Sequence, residues 1–475
     1  MKKAFWLLLI ALVGFASCKT RTTVIKEHTA IDSVVYHGHE PSWSKNLGMY
    51  EVNIRQYTPE GTFKAFAQHV PRLKDLGVGI VWFMPVQPIG KVNRKGSLGS
   101  YYSIQDYSAI NPEFGTLDEF RNLVKQIHDE GMYVILDWVA NHTSWDHEMI
   151  DAHPNWFERD SLGNLKPPVP DWTDVVSLNY ENPELRQWMI DEMKFWIEEC
   201  DVDGFRCDYA GGVAVDFWEE CRKQLNEIKH VFMLAEWEDP KYVKEAFDLD
   251  YGWEFHHIMN THAKGRATKI EWNMQGKGDV ETQTLDSVAN YFVRYRERYP
   301  QSAYQLNFIT NHDENSWAGT VFERYGDAVS TYATMTFTVP GMPLLYSGQE
   351  AGLNKRLRFF DKDTINWGDY KYQKFYKKLF QAKKENVALW NGAYGGEFKR
   401  VHTSLPDQVF AYSRAKNNNT VLTVLNFSPE QQTVQLKNGP RGDFKEIFTE
   451  RTEELKHDNP IVIGPWGYKV FVRNE

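Results

Sequence analysis

Arg206 and Asp208 stand two residues apart in the stretch Asp203-Gly204-Phe205-Arg206-Cys207-Asp208. In an extended strand alternate side chains share a face, so these two point one way while Phe205 and Cys207 point the other. A cation beside a carboxylate favours its ionised form, the form in which a carboxylate can attack carbon as a nucleophile. Taken alone, the pair reads equally well as a surface ion pair. Other apolar runs also close in polar residues: Asp137-Trp138-Val139-Ala140-Asn141-His142, Glu236-Trp237 and Asn311-His312-Asp313. Each could be a cap or a turn. If the runs are neighbouring strands of a barrel, these carboxylates and histidines meet on the rim where barrel active sites lie.

The elements that would position them alternate strand and helix. Met49 to Ile54 is a strand candidate, Thr62 to Leu76 carries apolar residues at helical spacing, and Gly79 to Met84 is a short apolar strand. Thr116 to Glu119 opens a helix with a cap-like start that runs to Gly131, and strand Tyr133 to Leu136 follows. Helix Pro183 to Cys200 precedes strand Val202 to Cys207, and helix Ala214 to Ile228 precedes strand Val231 to Ala235. Further strand candidates are Ala246 to Leu249, Leu306 to Ile309 and Pro343 to Tyr346. Roughly eight such units predict the α/β class and a (β/α)8 TIM barrel over residues 36–390. An open doubly wound sheet is the alternative, but no glycine-rich phosphate loop accompanies the strands. The irregular stretch at about 142–178 is too long for an ordinary loop and predicts a short inserted lobe after strand 3. Beyond Trp390, short alternating runs such as Gln408 to Tyr412, Thr420 to Phe427, Gln432 to Leu436 and Tyr468 to Arg473 predict a C-terminal antiparallel β-sandwich domain, residues 391–475.

Charge and cysteines narrow the function. A net charge of −10 argues against nucleic acid or an anionic lipid surface as partner and suits a neutral ligand. Flat rings stack on the apolar faces of sugars, and the 17 Trp and 24 Tyr supply them, although core packing accounts for most. Lys2, Lys3 and an apolar run from Ala4 to Phe15 ending in Ala16-Ser17-Cys18 resemble a lipoprotein-type signal over 1–17, with a polar tether over 18–35. An ordinary cleaved secretory signal is the alternative. Either way the expected location is outside the cytoplasm, as a cell-envelope lipoprotein touching membrane only through a lipid at Cys18, or secreted. Cys200, Cys207 and Cys221 are odd in number and lack metal-ligand spacing, so no disulfide framework is expected.

The segments DWVANH (Asp137 to His142), GFRCD (Gly204 to Asp208), AEW (Ala235 to Trp237) and FITNHD (Phe308 to Asp313), in this order, resemble the α-amylase family, glycoside hydrolase family 13. GVGIVWFMP, GSYYSIQDY and GMPLLYSGQE support the likeness, which spans about residues 36–470. The resemblance implies Asp208 as nucleophile, Glu236 as acid/base and Asp313 as the carboxylate holding sugar hydroxyls. It places Tyr102, His142, Arg206, His312 and Trp237 around the sugar, with Asp137 in support. No cofactor is needed for the chemistry. The family often carries a structural calcium; Asn141 matches one ligand and Asp174 is near, while Ser177 stands where an aspartate is common, so the sequence leaves calcium open. Gly211 and Gly212 stand where many α-amylases carry a lysine and a histidine.

The expected activity is retaining hydrolysis of α-1,4-glucosidic bonds in starch-type glucans or maltooligosaccharides by double displacement. A transglycosylase, or a hydrolase of α-1,6 or short substrates, is the alternative within the family. A non-catalytic glycan-binding relative is disfavoured because Asp208, Glu236 and Asp313 are all present. Oligomeric state is not legible.

Overall fold

A computed structural model describes residues 40–264, 268–269, 279–280, 283–456 and 459–474. The expected signal (1–17) and tether (18–35) lie outside the described residues. Eight parallel strands close into a barrel in sequence order: β1 Met49–Val52, β2 Ile80–Phe83, β3 Tyr133–Trp138, β4 Gly204–Cys207, β5 Phe232–Ala235, β6 Leu249–Tyr251, β7 Tyr304–Asn307 and β8 Met342–Tyr346, with β8 paired back onto β1. Alternation along each strand separates two cores. Met49, Ile80, Ile135, Leu234, Leu249, Leu306 and Leu344 fill the barrel. Tyr50, Val81, Val134, Phe205 and Met233 face outward and pack with the surrounding helices. Registers Glu51↔Trp82 and Asp137↔Arg206 bring polar side chains to the same barrel level, one step above that apolar filling.

Local sequence explains most element ends. Thr116 accepts from the Glu119 backbone N–H while the Glu119 side chain returns to Thr116, a complete capping box for helix Leu117–Asp129. Asn182 caps helix Pro183–Cys200, whose proline sits in the first turn where no amide partner is lost. Gly204 opens β4 at φ 156°, and a Cβ there would lie 1.8 Å from the Phe232 carbonyl oxygen. Only glycine lets β4 approach β5 that closely.

Several expected boundaries move. The run at 62–76 is two helices, Phe63–Ala67 and Val70–Leu76, because Pro71 has no N–H for the Ala67 carbonyl and sits instead in the first turn of the second helix. Strand β3 continues to Trp138, so Asp137 lies inside the strand. Strand β6 starts at Leu249 and ends at Tyr251, with Tyr251 pointing into the barrel and Asp250 away from it. Strand β7 is Tyr304–Asn307, so Phe308 to Asp313 lie beyond its end, with His312 and Asp313 already in the helical turn that follows.

Between β3 and the next helix, His142–Ser144 pairs antiparallel with Val175–Ser177, closing off the irregular stretch between them. After the barrel, a six-stranded antiparallel sheet runs in the order Lys399–Val401, Val409–Lys416, Asn419–Asn426, Tyr468–Asn474, Gly442–Glu446, Thr452–Leu455. A two-stranded sheet, Gln432–Val434 with Ile461–Ile463, shares its core through Val409, Leu422, Val434, Ile461 and Phe471. Buried Arg414 ties this sheet to the barrel by donating to the Val339, Leu389 and Trp390 carbonyls at 2.9, 3.2 and 2.9 Å. Cys200, Cys207 and Cys221 are buried free thiols.

Candidate active site

Arg206 is the hub. Its side chain is fully buried at the level of the rim, and Nη1 donates to Asp137 Oδ1 at 2.8 Å and to Asp208 Oδ1 at 2.9 Å. Nε reaches the Tyr251 hydroxyl at 3.3 Å, and Nη2 lies 2.8 Å from Glu236 Oε1. Three carboxylates supplied by β3, by the end of β4 and by the end of β5 thus surround one guanidinium, as strand alternation places them. The rings of Trp82 and Tyr102 lie 5.2 and 5.7 Å from that cation and complete its enclosure.

A second chain of hydrogen bonds crosses the rim. Asp137 Oδ2 accepts from Trp82 Nε1 and from the Tyr102 hydroxyl, each at 3.1 Å. Tyr102 in turn lies 2.8 Å from His312 Nε2, and His312 Nδ1 lies 2.5 Å from Glu51 Oε1. Burial pulls the His312 imidazole down, but Asp313 and Glu51 outweigh it and push the pKa to about 9. An imidazolium donates from both nitrogens, so His312 holds Glu51 on one side and the Tyr102 oxygen on the other, leaving the Tyr102 proton for Asp137. Asp313 Oδ2 lies 3.4 Å from His312 Nε2, and its side chain is 36% exposed and open to a ligand.

The two carboxyls nearest Arg206 on the solvent side differ in protonation. Burial raises Asp208 and Arg206 opposes it, which leaves the pKa at about 6. Burial also raises Glu236, Arg206 again opposes, and the charges of Asp208 and Asp313 add to the rise, to about 8. Glu236 therefore holds its proton to higher pH than Asp208 does. Desolvation, rather than neighbouring anions, is the larger cause for Glu236. The Tyr209 backbone N–H donates to Glu236 Oε2 at 2.8 Å, from a residue held at φ 42° directly after Asp208.

His142 is buried, accepts from Asn141 Nδ2 at 3.2 Å, and is driven down to about 3 by burial, so it is neutral. Trp237 packs edge-on to Tyr209 at 5.7 Å, and Tyr209 to Trp172 at 5.2 Å, an aromatic cluster on the Glu236 side. Gly211 lies under Trp237: a Cβ there would meet the indole at 2.1 Å. At Gly212 it would meet Asn141 Oδ1 at 2.4 Å. The two glycines are therefore the packing condition for Trp237 and Asn141, and larger residues do not fit beneath them as they stand.

Asn141 and Asp174 are not brought together. The ladder sets His142 against Ser177 and Ser144 against Val175, so Asn141 and Asp174 flank opposite ends of it, about 10 Å or more apart. Asp174 Oδ1 is already paired with Lys95 Nζ at 3.1 Å. Beside Asn141 the ladder supplies the neutral Ser177 hydroxyl where a calcium ion would want a carboxylate. Among the described residues no group of three or more His, Cys, Asp or Glu is placed to hold a metal.

Glu51, Trp82, Tyr251 and Tyr209 were not legible as site residues from sequence. Glu51 alone carried a usable signal, a single carboxylate within the otherwise apolar run Met49 to Val52.

Comparison with known proteins matches residues 23–162 and 170–393 to the family model described as alpha amylase, catalytic domain, and residues 398–470 to maltogenic amylase, C-terminal domain. The chain is similar to the alpha-amylase MalA of Haloarcula japonica, 28% identical over 85% of this chain and 58% of that protein, so it spans less than two thirds of that relative's length. A cyclomaltodextrinase of Thermoanaerobacter pseudethanolicus is 25% identical over 85% of this chain and 70% of its own. Among solved structures, a noncanonic maltogenic alpha-amylase, AmyB of Thermotoga neapolitana, superimposes with a TM-score of 0.80 at 31% identity, covering 90% of this chain and 99% of that one.

Proposed function

The chain belongs to the α-amylase family of glycoside hydrolases, and from that premise we propose that it hydrolyses α-1,4-glucosidic bonds of maltooligosaccharides and starch-type glucans with retention of configuration. The single observation that carries the proposal is the pair Asp208 and Glu236 on one guanidinium, the second holding its proton to higher pH than the first. Cleavage passes through an oxocarbenium-like state that needs one carboxylate at the anomeric carbon and one acid at the leaving oxygen. Asp208 attacks that carbon while Glu236 gives its proton to the departing oxygen. Water then attacks the glycosyl ester, Glu236 takes back a proton, and Asp208 leaves as carboxylate. Tyr102 offers a flat face to the ring, and Asp313, open to solvent beside His312, accepts from its hydroxyls.

The neutral His142 has a donor to give a further hydroxyl, and Trp237 with Tyr209 lines the leaving-sugar side. That aromatic lining also supports a sugar as acceptor in the second step, so transglycosylation is the second reading. Lys2, Lys3, the apolar run and Cys18 support an extracytoplasmic lipid anchor; loss of fatty-acid labelling in Cys18→Ser tests it. Products from starch, pullulan, maltotriose and a cyclodextrin test the main reading. Maltose and glucose released from α-1,4 substrates support it, and no release from any of the four overturns it.

A further inference from the structure

One large aromatic side chain near the rim is left open. Trp317 is 57% exposed, on the turn of helix Glu314–Ala318 that follows Asp313. That turn is fixed to the loop after β8. Asn315 donates to the Lys355 carbonyl at 3.1 Å and accepts from the Leu357 N–H at 2.9 Å, and the Ser316 hydroxyl donates to the Leu357 carbonyl at 3.0 Å. The fixing sets Trp317 against Phe359 and Phe360, with ring centroids 5.4 and 5.8 Å away. Phe359 continues inward and lies nearly parallel to Tyr102, 16° between planes at 6.2 Å. A run of rings thus leads from the residue that faces the reacting sugar out to an open indole.

The side of the site on which this run lies follows from barrel order. Glu236, which serves the leaving oxygen, closes β5, and in the closed ring of eight β5 stands across from β1. The Phe359 loop follows β8, the neighbour of β1, and Tyr102 follows β2, its other neighbour. The leaving sugar lies toward Glu236 and Trp237. The sugar units retained on the enzyme lie toward Phe359 and Trp317. Glucosyl rings present apolar C–H faces, and a rigid indole held by two further rings offers them a flat surface with little rotamer entropy to lose.

We propose that Trp317, backed by Phe359 and Phe360, forms a stacking site for a glucosyl unit on the non-reducing side of the cleavage point. The proposal rests on the α-glucan reading above. The test uses nitrophenyl α-maltooligosides of increasing length, which keep the leaving group fixed while the retained portion grows. In the parent enzyme kcat/KM rises as glucosyl units are added. In Trp317→Ala the ratio of kcat/KM for long over short members falls about tenfold, while Trp317→Tyr keeps most of it. A flat length profile in the parent, or the parent's profile retained in a Trp317→Ala protein of unaltered circular dichroism, overturns the stacking site. Failure of the parent to cleave any member would instead strike the α-glucan reading itself.

Discussion

Nη2 of Arg206 lies 2.8 Å from Glu236 Oε1 without the alignment of a hydrogen bond, whereas Nη1 is bonded to Asp208 at 2.9 Å. One cation therefore serves two carboxyls unequally. The bond adds to the pull that lowers Asp208, while burial and the charges of Asp208 and Asp313 raise Glu236, so the two carboxyls titrate apart.

The pH dependence of kcat/KM follows from it. As pH falls through about 6, Asp208 gains a proton and attack is lost; as pH rises through about 8, Glu236 loses its proton and leaving-group assistance is lost. The expected profile is a bell between those limits, its two apparent constants belonging to the pair. Initial rates on maltotriose across pH check it.

Glu236→Gln lowers kcat for maltooligosaccharides by about 10²- to 10⁴-fold. The loss is far smaller for substrates whose leaving group departs without a proton, such as a glycosyl fluoride. The alkaline limb disappears in the variant. Comparing the two substrate types on one preparation checks the assignment of the acid.

Glu51→Gln removes the anion facing His312, on which Asp313, Tyr102, Arg206, Trp82 and Phe359 also bear. Breaking a buried pair costs about 3–5 kcal/mol. Because the folded pKa of His312 is raised, its contribution is complete below the unfolded value of about 6.5 and disappears as pH rises through about 9. The gap in melting temperature between parent and variant is therefore widest in mild acid and closes in alkali. Nitrogen chemical shifts of the His312 ring report the same titration.

Gly211→Ala drives a methyl group into the Trp237 indole. Overpacking of this kind costs about 1–3 kcal/mol, and the displaced indole weakens the leaving-sugar side. We expect KM for maltotriose to rise more than kcat falls, with transfer to added maltose reduced in step.

The parts of this site that could be read from sequence are those where a local rule decides. Alternation placed Arg206 and Asp208 on one face, and an apolar run ending in a carboxylate marked Asp208 and Glu236. The capping box at Thr116 and the glycine at Gly204 depend on near neighbours in the same way. What stayed hidden depends on closure of the barrel. Glu51 meets His312 only because β8 pairs with both β1 and β7, and Tyr251 reaches Arg206 only because β6 begins at Leu249. The end-to-end separation of Asn141 and Asp174 likewise follows from a ladder register that spacing alone does not fix.

The most direct measurement is to trap the enzyme with an activated, slowly released α-glucosyl fluoride and to map the labelled peptide by mass spectrometry. The account predicts one glycosyl group, attached to Asp208, with Glu236→Gln prolonging its lifetime. A label on any other residue, or turnover that inverts the anomeric centre with no adduct formed, would contradict it.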